Sequence, residues 1–139
     1  MKKPGIADYP MAETQGKAVC GPRGVALDQI TLDAVMDGSI GIDDLRITRA
    51  ALHAQADIAR DAGRAALAQN FERGAELIDV PQDVIMQTYE MLRPGRVQSK
   101  QALLDQADML RRDYGAEQIA DFLARAAEIY HRRGLFPKD

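Results

Sequence analysis

The residues best able to do chemistry in this 139-residue chain are two histidines, the carboxylates near them and one cysteine. His53 and Asp57 stand four positions apart on a predicted helix, a spacing that turns both toward one ligand. They make half a metal site at most, and no HExxH or CxxC pattern completes it. His131 precedes Arg132 and Arg133, where positive charge suits a helix C-terminus. His53 is interpreted as a surface or hydrogen-bonded histidine, and the position of His131 requires no functional explanation.

Cys20 lies among the glycines and prolines of residues 16–24. A nucleophilic thiol needs a base and an oxyanion site held rigidly, and such a segment supplies neither by itself. The glycines also lack the spacing of a phosphate-binding loop. A single cysteine excludes an internal disulfide and a cysteine-based zinc site. The stretch is interpreted as a mobile linker with an incidental thiol.

Four aspartates at positions 33, 37, 43 and 44 form an acidic cluster that could in principle hold a hard cation. Their spacing is not that of an EF-hand loop, and the terminal glutamate of such a loop is missing. A solvated face, or a surface that meets a basic partner, is the favoured interpretation. The predicted lists of catalytic, cofactor-binding and metal-binding residues are therefore all empty.

Composition excludes some classes of function. The formal net charge is −3, aromatic residues make up 5% and tryptophan is absent, so phosphate neutralisation and base stacking are poorly supported. Apolar runs fall short of the roughly 20 residues that a membrane span needs. We expect no nucleic-acid partner, no membrane and a cytoplasmic location, where Cys20 stays reduced.

The pattern along the chain predicts an all-α fold, a small bundle of about five helices with an extended, loop-rich N-terminal arm. Glycines and prolines recur through residues 1–30, which are assigned to the arm, and residues 31–139 are assigned to a helical domain. Thr48 and Ser99 are the expected N-caps of two long helices. Gly63 and Gly115 are expected where helices bend or end.

Apolar residues at three- and four-residue spacing predict the buried faces of these helices. The predicted stripes are Leu67, Phe71, Gly74 or Ala75, and Ile78; Ile85, Tyr89 and Leu92; Leu103, Ala107, Leu110 and Tyr114; and Ile119, Phe122, Leu123, Ala126 and Ile129. Apolar residues of the arm, from Ile6 to Leu27, either dock on another subunit or fold back on the bundle, and both remain open.

Several stretches resemble the small subunit of adenosylcobalamin-dependent diol and glycerol dehydratases. They are LDQITLDAV at 27–35, DLRIT at 44–48, QADIARDAGR at 55–64, LAQNFER at 67–73 and YEMLRPGR at 89–96. The resemblance covers residues 27 to about 96, with a looser helical match toward the C-terminus. The stretch Asp8-Tyr9-Pro10 is also similar, whereas residues 20–24 depart from the family.

The resemblance implies a mostly helical subunit of a heterohexamer with two copies each of large, medium and small chains. In that family the large and medium subunits hold adenosylcobalamin, and a radical reaction dehydrates 1,2-propanediol or glycerol to the aldehyde. The small subunit is not known for catalytic residues. The complex, cytoplasmic by expectation, is in some cases enclosed in a bacterial microcompartment.

The alternatives are a free-standing helical interaction module or adaptor and, third, a small catalyst using His53 and Asp57. Under the dehydratase hypothesis, residues 27–48 are predicted to lie against the large subunit. Their two helical turns are too short to persist alone in water, and the stretch is rich in ions. Replacing Asp43 and Asp44 with lysine is then expected to weaken assembly without changing helix content.

Overall fold

The computed structural model describes residues 3–137, and within them it contains seven α-helices, three 3-10 turns and no β-strand. The helices are α1 (Met11–Thr14), α2 (Leu32–Met36), α3 (Arg49–Asp61), α4 (Ala65–Leu77), α5 (Gln82–Leu92), α6 (Lys100–Tyr114) and α7 (Glu117–Arg132). The 3-10 turns are Ile6–Asp8, Leu27–Gln29 and Ile42–Leu45. The predicted all-α class is confirmed, and α3 to α7 are its five longer helices.

The chain divides into two compact units after Ala75. The first unit holds α1, α2, α3 and most of α4, and the second holds the end of α4 with α5, α6 and α7. The assignment of residues 1–30 to an arm and 31–139 to one domain stays a prediction. Between residues 3 and 137, none of the helices has the length and apolar character to cross a bilayer.

Helix ends lie close to where local chemistry predicts them. The hydroxyls of Thr48 and Ser99 accept hydrogen bonds from the backbone N–H three positions later, at 3.1 and 3.2 Å. Gly63 and Gly115 adopt φ angles of +73° and +62°, which side chains with a Cβ rarely tolerate. Pro81 is the N-cap of α5.

The core of the first unit is built largely from alanine. Ala56 and Ala59 of α3 and Ala68 of α4 are buried, with Leu67 and Phe71 packed against them. Because alanine removes little apolar surface from water, each contact adds little to stability. The half-buried Phe71 is therefore a large part of the apolar contact in this cluster.

We expect Phe71→Ala to destabilise the first unit by about 2 kcal/mol, since a fully buried phenylalanine costs about 3–5 kcal/mol to truncate and this one is half-buried. His53→Ala is the matched control, because His53 is exposed on α3 and should cost about 0.5 kcal/mol or less. Denaturant unfolding of both variants measures the difference. Equal free energies of unfolding would contradict the packing of Phe71.

The core of the second unit is larger and richer in leucine. Its largest fully buried side chains are Leu103 and Leu110 of α6 and Leu123 of α7. The sequence stripe on α7 is partly wrong, because Phe122 and Ile129 are about 40% exposed while the alanines at positions 116, 120 and 127 are buried. Ile78 and Tyr89 were also assigned to buried faces and are likewise exposed.

A buried polar contact joins α5 to α6. The amide nitrogen of Gln106 donates to the hydroxyl of Thr88 at 2.8 Å, and that hydroxyl donates to the carbonyl oxygen of Val84, also at 2.8 Å. Both side chains are 7% exposed. Since an unpaired buried polar group is costly, this pair fixes the register of the two helices as well as filling space.

Candidate functional site

Neither histidine lies in a setting that suggests catalysis. His53 and His131 are both exposed. The carboxylate of Asp57 is engaged by Lys3 at 3.7 Å and by Arg60 at 3.3 Å. Across residues 3–137, no group of three or more His, Cys, Asp or Glu side chains is placed to hold a metal ion. The empty lists of catalytic, cofactor-binding and metal residues stay predictions.

The stretch around Cys20 is a hydrogen-bonded turn, so its interpretation as a linker is wrong. Cys20 and Ala26 form an antiparallel bridge. The amide of Gly21 donates to the carbonyl of Val25 at 2.9 Å, and the amide of Leu27 donates to the carbonyl of Val19 at 2.9 Å. Residues 19–27 thus double back on themselves, and the thiol of Cys20 is half-buried.

An ion pair joins this turn to the residues after α2. The guanidinium of Arg23 donates from Nε to Oδ1 of Asp44 at 2.6 Å and from Nη2 to Oδ2. The same Oδ2 accepts the backbone N–H of Gly41 at 2.9 Å, which completes a capping contact on the 3-10 turn. A Cβ at Gly21 would lie 2.6 Å from the carbonyl oxygen of Asp44, so glycine permits this close approach.

The interpretation of the four aspartates as a solvated face is therefore wrong for one of them. Asp44 is 2% exposed. Asp37 accepts hydrogen bonds from the backbone and hydroxyl of Ser39, at 2.8 and 2.6 Å, and so shapes the turn after α2. Asp43 lies at the surface beside Arg46, at 3.3 Å. These carboxylates serve separate local contacts and do not converge on a cation.

The ion pair has a consequence in acid. The hydrogen bond from Arg23, followed by that from Gly41, lowers the pKa of Asp44 to about 2. In the unfolded chain an aspartate titrates near 4. Because the folded pKa is the lower one, the carboxylate stabilises the fold above about pH 4, and this contribution is lost as the pH falls toward 2.

We expect the melting temperature of the wild-type chain to fall more steeply between pH 4 and pH 2 than that of Asp44→Asn. The amide cannot titrate, so the variant loses stability at neutral pH but lacks this acid-dependent part. Thermal melts by circular dichroism at pH 5, 4, 3 and 2 measure both slopes, with Asp43→Asn as the control for an exposed carboxylate. Parallel slopes for wild type and Asp44→Asn would contradict the lowered pKa.

Large apolar side chains of the same segment are exposed to solvent. Thr31 caps α2 through its hydroxyl, at 3.2 Å from the amide of Ala34, and Gly38 ends the turn with a φ of +82°. Of residues 27–48 only Ile40 and Asp44 are buried. The 32–47 apolar surface is our name for its six large exposed side chains, which are Leu32, Val35, Met36, Ile42, Leu45 and Ile47.

A second contact missed by the sequence analysis lies at the start of α7. Ala116 occupies the N-cap and has no side-chain acceptor. The carboxylate of Glu76, at the end of α4, accepts the backbone N–H groups of Gln118 and Ile119 at 3.0 and 2.9 Å. A negative group at this position also complements the helix dipole. The one signal in the sequence for such a contact is that no Ser, Thr, Asp or Asn precedes α7 to cap it.

Three large apolar side chains, Leu32, Met36 and Ile42, are more than 70% exposed, and exposed apolar groups of this kind are typical of chains that bind other proteins. Residues 5–136 match the family model of the dehydratase small subunit, and the chain belongs to that family. A small subunit has partner chains, so this protein is part of a dehydratase complex.

Two curated relatives make the resemblance more specific. The chain is 43% identical over 128 residues to the propanediol dehydratase small subunit of Salmonella typhimurium (strain LT2), across 92% of this chain and 73% of that protein. It is 42% identical over 128 residues to the propanediol dehydratase small subunit of Citrobacter freundii, across 92% and 74% of the two lengths. The predicted resemblance is confirmed, and a free-standing adaptor is not favoured.

Proposed function

We propose that this chain is the small subunit of a dehydratase that converts 1,2-propanediol or glycerol to the corresponding aldehyde. The observation that carries the proposal is the identity of about two residues in five with two propanediol dehydratase small subunits, extending over 92% of the chain. The proposed complex holds two copies each of a large, a medium and a small subunit. It is proposed to work in the cytoplasm, with or without a microcompartment shell.

In this proposal the chain contributes structure to the complex and no reacting group. Adenosylcobalamin, held by the large and medium subunits, supplies the radical chemistry. Within residues 3–137, the most buried carboxylate is that of Asp44, and it is held by Arg23 and Gly41. The exposed His53 and His131 lie in different compact units. These features support a chain that binds its partners without binding the substrate or cofactor.

We expect the purified chain alone to show no diol or glycerol dehydratase turnover and no spectral change on addition of adenosylcobalamin. Co-expressed with the large and medium subunits, it should co-purify with them in equal amounts and with aldehyde-forming activity. Gel filtration, subunit quantification and an aldehyde assay with 1,2-propanediol and with glycerol measure these outcomes. Turnover by the chain alone, or failure to co-purify, would contradict the proposal.

A further inference from the structure

We propose that the 32–47 apolar surface is where this chain docks on a larger subunit of its complex. The inference rests on the proposed function and adds which side chains make the contact. The partner surface is expected to be apolar at its centre and to carry lysine or arginine at its edge. Exposure, local architecture and charge each support this assignment.

The most exposed large apolar side chains belong to the 32–47 apolar surface. Leu32, Met36 and Ile42 are 76%, 78% and 72% exposed, more than any other large apolar side chain described in residues 3–137. Leu32 and Met36 are one helical turn apart on α2, so they point the same way. Five residues separate Met36 from Ile42, so their Cα atoms are at most about 22 Å apart. A dense apolar group of this kind is typical of a protein–protein contact.

The segment does not need these side chains in order to fold. The segment is held by the buried carboxylate of Asp44, which binds Arg23 and the amide of Gly41. The turn after α2 is fixed by its own backbone, since the amide of Ile40 donates to the carbonyl of Ala34 at 3.0 Å. The exposed apolar side chains therefore belong to a segment that other contacts hold in place.

Charge argues for a different chain as the occupant, not a second copy of this one. Asp28, Asp33, Asp37 and Asp43 border the surface as exposed residues, and Arg46 is the only cation among positions 27–48. In a symmetric pair the same patch meets itself, so these carboxylates would face each other. Like charges brought together across an interface oppose association, whereas a cationic rim on a partner favours it.

The test uses the complex with its large and medium subunits. The variant Leu32→Gln, Met36→Gln, Ile42→Gln removes three apolar side chains while leaving Arg23 and Asp44 in place. The matched control is Met86→Gln, Tyr89→Gln, Ile129→Gln, which removes three exposed apolar side chains from the second unit. Affinity is measured by biolayer interferometry against the complex of the other two subunits, and folding of each variant by circular dichroism.

We expect the 32–47 variant to keep wild-type helix content and to bind at least about tenfold more weakly, as expected when central apolar contacts are removed. The control should bind within about twofold of wild type. Equal binding by the 32–47 variant and wild type, or equal loss in the control, would overturn the proposal. Wild-type chain that fails to bind at all would instead contradict the proposed function.

A second measurement covers the case in which the triple variant does not fold. A photo-crosslinking amino acid at Met36 should link this chain to a larger subunit, and the same group at Met86 should not. Crosslinks from position 36 only to another copy of this chain would assign the surface to self-association and overturn the proposal. Sedimentation of the isolated chain is expected to give a monomer.

Discussion

Asp44→Lys is expected to unfold residues 19–45 locally, whereas Asp43→Lys, one position earlier, leaves them folded. The lysine at position 44 would bring a second cation against the guanidinium of Arg23 at a site that is 2% exposed. It would also leave the amide of Gly41 without its acceptor. A buried cation facing another cation is among the costliest changes available to a fold. Position 43 is exposed to water and loses only the surface contact with Arg46.

Hydrogen exchange gives the most direct measurement of this difference. The amide of Leu27 is hydrogen-bonded to the carbonyl of Val19 in the folded turn, so it reports on that turn. It should exchange at least about a hundredfold faster in Asp44→Lys and at the wild-type rate in Asp43→Lys. Adding Arg23→Glu to Asp44→Lys restores opposite charges and should recover part of the protection. Equal protection in both single variants would contradict the structural role of Asp44.

The burial of Asp44 also changes what the double variant Asp43→Lys, Asp44→Lys can test. From the sequence alone, that variant is expected to keep its helix content and to report only on docking. Because Asp44 holds the scaffold behind the 32–47 apolar surface, weaker assembly by the pair would follow from lost local structure. Neutral replacement of the outward apolar side chains separates docking from folding.

Leu123→Ala is expected to destabilise the second unit by about 2–5 kcal/mol. Leu123 is 1% exposed and belongs to the cluster that joins α6 to α7, which also contains Leu110 and Ala120. The variant loses the transfer free energy of the side chain and leaves a cavity that close-packed neighbours fill only in part. With total stabilities of about 5–15 kcal/mol in such domains, the loss is a large fraction.

Thermal unfolding of the isolated chain measures this effect, with an expected fall in melting temperature of about 10 °C or more. Ile129→Ala is the matched control on the same helix. Its side chain is 40% exposed, so truncation should cost about 1 kcal/mol or less. Equal melting temperatures for the two variants would show that Leu123 does not lie on the buried face of α7.

Sequence predicted the helices well where local chemistry decides them. Thr48 and Ser99 cap helices because a hydroxyl at that position can accept a nearby amide, whatever the rest of the chain does. Gly115 ends α6 because a left-handed residue is needed there. The family resemblance was recognisable because its motifs are distributed along most of the chain.

Contacts between distant positions were not predictable in this way. Asp43 and Asp44 are the same residue type side by side, and only Arg23, 21 positions from Asp44, distinguishes them. The buried face of α7 was misplaced because alanines occupy much of it. A stripe chosen by size selects Phe122 and Ile129, although Ala120 and Ala127 are the residues of α7 with no exposure at all. Small residues allow helices to approach closely, and a pattern based on large hydrophobic residues does not identify them as buried.

The Glu76 cap on α7 bears on the order in which the second unit folds. Its hydrogen bonds to Gln118 and Ile119 connect positions 42 and 43 residues apart. Closing a loop of that length costs chain entropy before the contact yields any stability. The α6 and α7 helices, joined by a short turn, can pair earlier because few residues separate them. The cap therefore acts chiefly on the unfolding rate, by holding the first turn of α7 closed after the helices have paired.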